Sequence, residues 1–163
     1  MLSFMEHAKL YAPYHKNPLN RYVQLLGISL IIFSLMTLLA CVRISIPELL
    51  SVNLATLATL ALVIVYARLN ALLALTITPL LALLCWIAGM ASAPIPTPFT
   101  VWVFLITLVS GLAIYFIGYA IEGTRPSIRE NAQQLFISPL MMAAEVYFVT
   151  GRQGSLKQTI YGA

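Results

Sequence analysis

Two short stretches of this 163-residue chain hold most of the side chains that could do chemistry. The first is Tyr14-His15-Lys16-Asn17-Pro18-Leu19-Asn20, followed by Gln24. Asn17 reads as a helix cap with Pro18 at the first helical position. That places Asn20 and Gln24 four residues apart on one helix face, with His15 just ahead of the helix start. The second stretch is Gly118-Tyr119-Ala120-Ile121-Glu122-Gly123-Thr124-Arg125-Pro126. Here Tyr115, Tyr119 and Glu122 recur at i, i+4 and i+7 and share a stripe. Both stretches fall on one membrane face and can converge into one pocket, where Arg125 and Arg129 can pair with a carboxylate or phosphate head. Plainer roles fit the same residues. Tyrosines at the end of an apolar helix form an interfacial belt, Glu122 can pair with Arg125 or Arg129, and His15 can be a solvated loop residue.

The elements that must carry these residues are apolar helices. Hydrophobic residues make up 61% of the chain and charged ones only 9%, against about a quarter charged in a soluble domain. A mean hydropathy of +0.93 on so small a chain cannot be hidden in a soluble core. Four runs are long enough to cross a hydrocarbon layer of about 30 Å: 25–42, 49–67, 71–91 and 99–121. The second is expected to start just after Pro47 and Glu48. Arg68-Leu69-Asn70 makes a tight hairpin between the second and third runs, and Pro94, Pro96 and Pro98 interrupt any helix between the third and fourth. A fifth run, Leu135–Val149, is short and contains Pro139 and Glu145. With Ser127-x-x-Glu130 ahead of it as a capping box, the segment 128–149 is expected to be amphipathic and interfacial or re-entrant. The sequence thus predicts a single all-α integral membrane domain over 1–163, with four transmembrane helices and a C-terminal re-entrant helical segment.

Charge orients this bundle. Placing both termini in the cytoplasm puts eight of the nine Lys and Arg residues inside and leaves Arg43 alone outside, a clear positive-inside pattern. The expected location is a bacterial inner membrane, or the endoplasmic reticulum in a eukaryote. The net charge of +4 is too small and scattered for a nucleic-acid partner. Cys41 and Cys85 lie in apolar runs and read as small buried hydrophobes. No Asp, Glu, Lys, Arg or His falls in the middle of a span, which argues against a proton-coupled transporter or an ion channel.

The two polar stretches together resemble the motifs of a membrane family typified by the yeast endoplasmic-reticulum 2-hydroxy fatty acid dioxygenase. The first is Tyr14-His15-x-x-Pro18-x-Asn20-x-x-x-Gln24-x-x-Gly27. The second is Phe116-Ile117-Gly118-Tyr119-x-x-Glu122-Gly123-x-x-Pro126-Ser127, and Ser138-Pro139-Leu140 with Glu145 matches the closing segment. The resemblance spans about residues 10 to 150. It implies an Fe(II)-dependent oxygenase for α-oxidation of 2-hydroxy fatty acids, releasing an acid one carbon shorter. A membrane-surface site would let the acyl chain stay in lipid while its head reaches the metal. His15 and Glu122 are then the implied metal ligands, Asn20, Gln24 and Tyr119 position substrate or oxygen, and Arg125 and Arg129 bind the acid head.

The chain departs from the family pattern at two histidines, replaced by Gln24 and Tyr119. An amide or a neutral phenol is a poor substitute for imidazole on Fe(II). A site with two histidines and one carboxylate would have to recruit His7 with His15 and Glu122. The alternative expectation is a non-catalytic relative that holds a lipid or acyl head group, or a membrane partner, in the same pocket.

Overall fold

Capping side chains set where the long helices begin. Asn17 Oδ1 accepts the Leu19 N–H at 2.9 Å, and Asn53 Oδ1 accepts that of Thr56 at 2.8 Å. Asn70 Oδ1 takes the Leu73 N–H at 3.2 Å, and Thr97 Oγ1 that of Thr100 at 3.2 Å. Each satisfies a donor that the first helical turn leaves unpaired. The computed structural model describes residues 4–12, 17–46, 50–123 and 128–149, together with 158 and 160. In order the elements are α1 (Phe4–Tyr11), α2 (Pro18–Ala40), β1 (Arg43–Ile46), β2 (Leu50–Asn53), α3 (Leu54–Leu69), α4 (Ala71–Ala91), α5 (Pro98–Glu122) and α6 (Ile128–Val149).

Three of these helices, α2, α4 and α5, are long and apolar enough to cross a membrane. The second expected span is shorter than the sequence predicts. Its first residues form β2 instead, which pairs antiparallel with β1 in the register Arg43↔Asn53 to Ile46↔Leu50. The physical reason is the Asn53 cap. It starts α3 at Leu54, whereas Ile44, Ile46 and Val52 alternate with serines and suit a strand. With 16 residues, α3 is about 24 Å long, less than the ~30 Å hydrocarbon thickness. Pro47, Glu48 and Ser127 lie outside the described residues, as does the side chain of Glu130, so the expected capping box does too.

The helices alternate in direction, which gives the bundle two distinct ends. At the hairpin end, where β1 and β2 pair, Ser92 Oγ ties the end of α4 to α2 through the Thr37 carbonyl at 2.8 Å, and Thr100 Oγ1 ties α5 to the Ala91 carbonyl at 3.0 Å. At the polar end lie the start of α2, the α3–α4 junction and the end of α5. α5 packs mainly on α2, and its other face exposes Phe99, Trp102, Ile106, Val109 and Phe116. Such an apolar face belongs in lipid. The two helices touch through glycine. A Cβ on Gly111 would come 2.9 Å from the Gly27 carbonyl oxygen, and one on Gly27 would come 2.7 Å from the Tyr115 nitrogen.

Candidate functional site

The polar residues of both motifs meet where α2 begins and α5 ends. Asn20 and Gln24, one turn apart on α2, are both fully buried. They lie against Gly118, where an added Cβ would overlap the Gln24 side chain and come 2.7 Å from Asn20 Oδ1. Only a glycine lets two long amides fit between the helices at this level. Glu122 Oε2 accepts from Asn20 Nδ2 at 2.8 Å and from the Asn17 backbone N–H at 3.2 Å. Gln24 Nε2 in turn donates to Asn20 Oδ1 at 2.9 Å. Glu122, the one carboxylate of the pair of motifs, therefore holds the first turn of α2 through a charge-assisted hydrogen bond.

A second chain of hydrogen bonds runs from the same stripe of α5 into α6. The Tyr115 and Tyr119 hydroxyls are 2.7 Å apart, and Tyr119 donates to Gln134 Oε1 at 2.6 Å. With its own proton committed to Gln134, Tyr119 accepts from Tyr115. Gln134 is buried, and its Nε2 has no hydrogen-bond partner among the described residues. A buried donor in that state carries a desolvation cost of about 1–3 kcal/mol until some oxygen meets it.

α6 is laid across this polar end. Arg21 Nη1 contacts both Glu145 carboxylate oxygens, at 2.9 and 3.2 Å. The Tyr66 hydroxyl donates to the Phe136 carbonyl at 2.6 Å, and the Tyr147 and Thr76 hydroxyls are 2.9 Å apart. Arg21, Tyr66, Thr76 and Tyr119 all lie within about two turns of the polar end of their helices.

Of the residues expected at the site, Asn20, Gln24, Tyr119 and Glu122 come together, in two linked helices. His15 and Arg125 lie outside the described residues, and so does the side chain of Arg129. Sequence reasoning missed Gln134, Arg21 and the role of Glu145 as Arg21's partner. Gln134 and Ser138 are four apart on the buried face of α6, a spacing that could have flagged them. The Arg21–Glu145 pairing spans 124 residues and leaves no local signal.

The donor set decides what this arrangement can hold. Among the described residues, no three His, Cys, Asp or Glu side chains come together. What does assemble is one carboxylate, three amides and two phenols. Fe(II) is held by imidazole and carboxylate with open positions, and the described residues do not by themselves make such a site. These groups hydrogen-bond chiefly to one another, and Gln134 Nε2 is a buried donor still without an acceptor among the described residues.

Fold and site together define an all-α protein with apolar, membrane-length helices and a buried polar cluster at one end. The family model for the Mpo1-like family, described as 2-hydroxy-palmitic acid dioxygenase Mpo1-like, matches residues 1–150, and the chain belongs to that family. No curated protein and no solved structure matches the chain.

Proposed function

We propose that this protein takes the head of a long-chain 2-hydroxy fatty acid at its polar end, as a family member whose motif positions carry amide and phenol donors in place of metal ligands. One observation carries the reading. Gln24 and Tyr119, at the two positions where the family has histidine, are buried and hydrogen-bonded to Asn20 and Gln134. In this reading Arg125 and Arg129 meet the carboxylate, and the Gln134 Nε2 donor meets one of the head-group oxygens. Asn20 and Glu122 hold α2 and α5 at the spacing the pocket needs. The acyl chain stays in the lipid beside α5. The polar end faces the cytoplasm, since among the described residues it gathers Arg21 and Arg68 while Arg43 stands at the opposite end.

The second reading is the family's own activity, an Fe(II)-dependent dioxygenase of 2-hydroxy fatty acids. It is supported by the family match over 1–150. It requires His15, with Glu122 and with His7 or another donor, to supply what the described residues lack.

One experiment separates the two. The full chain is purified into nanodiscs, loaded anaerobically with Fe(II), and assayed for bound iron, 2-hydroxypalmitate binding and its turnover, beside a His15→Ala variant. Our reading expects saturable binding of 2-hydroxypalmitate without stoichiometric iron, weakened when Arg125 and Arg129 are changed to Gln. Stoichiometric iron that is lost in His15→Ala, together with turnover, would overturn it in favour of the oxygenase. Absence of both iron and binding would overturn both readings.

A further inference from the structure

A second site lies at the hairpin end, away from the polar cluster. Between α3 and α4 there is a cavity of about 610 Å³, within the ~300–1,000 Å³ of small-molecule sites. It exists because α3 buries little of itself: only Ala55 and Tyr66 are buried along its length. The floor is Gly89, whose missing side chain has room, since a Cβ there would meet nothing closer than Asn53 Nδ2 at 3.5 Å. Leu60 and Trp86 form the lips and are 58% and 64% exposed, so the cavity opens sideways as a groove. Its deeper hydroxyls are spent on their own helices. Thr59 donates to the Ala55 carbonyl at 2.8 Å and Thr78 to that of Ala74 at 2.7 Å. Their methyl groups and Val63 are what remain for an occupant.

The mouth of the groove has the opposite character. Arg43 lines it and is exposed, and among the described residues its guanidinium forms no ion pair. It is the only Lys or Arg between Arg21 and Arg68, and Glu48, the nearest acid in sequence, lies outside the described residues. Asn53 stands opposite Arg43 in the β-ladder. Because its Oδ1 is committed to capping α3, its Nδ2 is turned over Gly89. One cation and one amide donor therefore stand at the membrane-surface end of an apolar groove. From Thr78 to Met90 the groove follows α4 for about 18 Å. That is close to half the ~30 Å hydrocarbon thickness, the depth that one lipid tail reaches.

From this juxtaposition we propose that the α3–α4 groove binds a single-chain anionic amphiphile, a long-chain fatty acid, with its carboxylate on Arg43 and its chain between Leu60, Val63 and Trp86. One cation and one groove match one negative charge and one chain. The site is separate from the polar cluster and does not depend on the function proposed for it.

The two tryptophans test the proposal. Trp86 lines the groove and Trp102 is on the lipid face of α5. They are exposed to the same degree, 64% and 63%, and both lie near the hairpin end. The full chain is placed in phosphatidylcholine nanodiscs as Trp102→Phe or Trp86→Phe, leaving one reporter in each. The probes are dibrominated stearic acid, its methyl ester, and phosphatidylcholine carrying the same dibrominated chains. The free acid should quench Trp86 saturably at low mole fraction and be displaced by unlabelled stearate, whereas Trp102 should be quenched in proportion to probe without saturation. Arg43→Gln should raise the half-saturating mole fraction about tenfold, as expected for loss of a charge-assisted contact. Gly89→Leu, which fills the floor, should abolish saturation while the helical circular-dichroism spectrum is retained. Equal quenching of the two tryptophans would overturn the site. Equal saturation by the ester or the phosphatidylcholine, or no effect of Arg43→Gln, would overturn the role of the carboxylate. Arg43→Gln should leave 2-hydroxypalmitate binding at the polar end intact, so failure of one site is told apart from failure of the other.

Discussion

Gly118→Ala is the most demanding test of the polar end. The added Cβ would overlap the Gln24 side chain and come 2.7 Å from Asn20 Oδ1 and 3.1 Å from Gln24 Cδ. Both amides must then move, in a place where both are fully buried. Overpacking of this kind costs about 1–3 kcal/mol. Displacing Asn20 also loosens its 2.8 Å bond to Glu122, and a hydrogen bond to a charged group contributes about 1.5–3 kcal/mol. Replacing a mid-helix glycine by alanine returns about 1 kcal/mol of helix propensity. The net loss is then about 3 kcal/mol, which lowers the melting temperature by roughly 6–12 °C for a chain of this size. Gly89→Ala is the control. Its new Cβ has 3.5 Å of room and gains the same propensity, so it should be neutral or slightly stabilising. Thermal unfolding of both variants in one detergent, followed by tryptophan fluorescence, makes the comparison. Equal melting temperatures for Gly118→Ala and Gly89→Ala would refute the claim that glycine at 118 is what lets the amides fit.

Three further outcomes follow from the same geometry. Arg21 and Glu145 are paired at 2.9 Å with side-chain exposures of 13% and 9%, so Arg21→Met alone should cost about 3 kcal/mol by taking the cation from beside a buried carboxylate. Arg21→Met with Glu145→Leu should recover much of that loss in the same melting assay, and a double variant no better than the single would count against the pair. Tyr66→Phe removes the donor to the Phe136 carbonyl and should cost about 1–2 kcal/mol. It should also speed limited proteolysis within α6, and unchanged cleavage would mean that this bond does not hold α6 down. Gln24→His with Tyr119→His returns both imidazoles of the family motif to positions already buried against Asn20 and Gln134. Bound Fe(II) should rise to about one per chain in anaerobic dialysis, and no uptake would show that more than two histidines separates this chain from a metal site.

Much of the polar end can be read from local spacing. Tyr115 and Tyr119 are one turn apart in the chain and one hydrogen bond apart in space. Asn20 and Gln24 are likewise bonded to each other, and Asn17 with Pro18 starts α2 as its residue types require. Periodicity serves well here because a helix fixes the neighbours of every residue up to four positions away. The start of α3 was not legible in the same way. Pro47 and Glu48 are also good first-turn residues, and a capping choice between them and Asn53 depends on whether the intervening chain can pair as a strand. Gln134 was hidden for another reason. Its partner is on a different helix, and the Gln134–Ser138 spacing marks a polar face of α6 without saying that this face meets α5.

By itself the sequence determines that this is a membrane protein, where three of its apolar helices lie, and which family its motifs belong to, because composition and short-range spacing act through each helix alone. The tertiary structure decides that Gly118 admits two buried amides, that Glu122 is engaged by Asn20, that Arg21 meets Glu145, and that a groove stays open above Gly89. Those contacts depend on how close two helices come, and that distance is set by the fit of both surfaces at once.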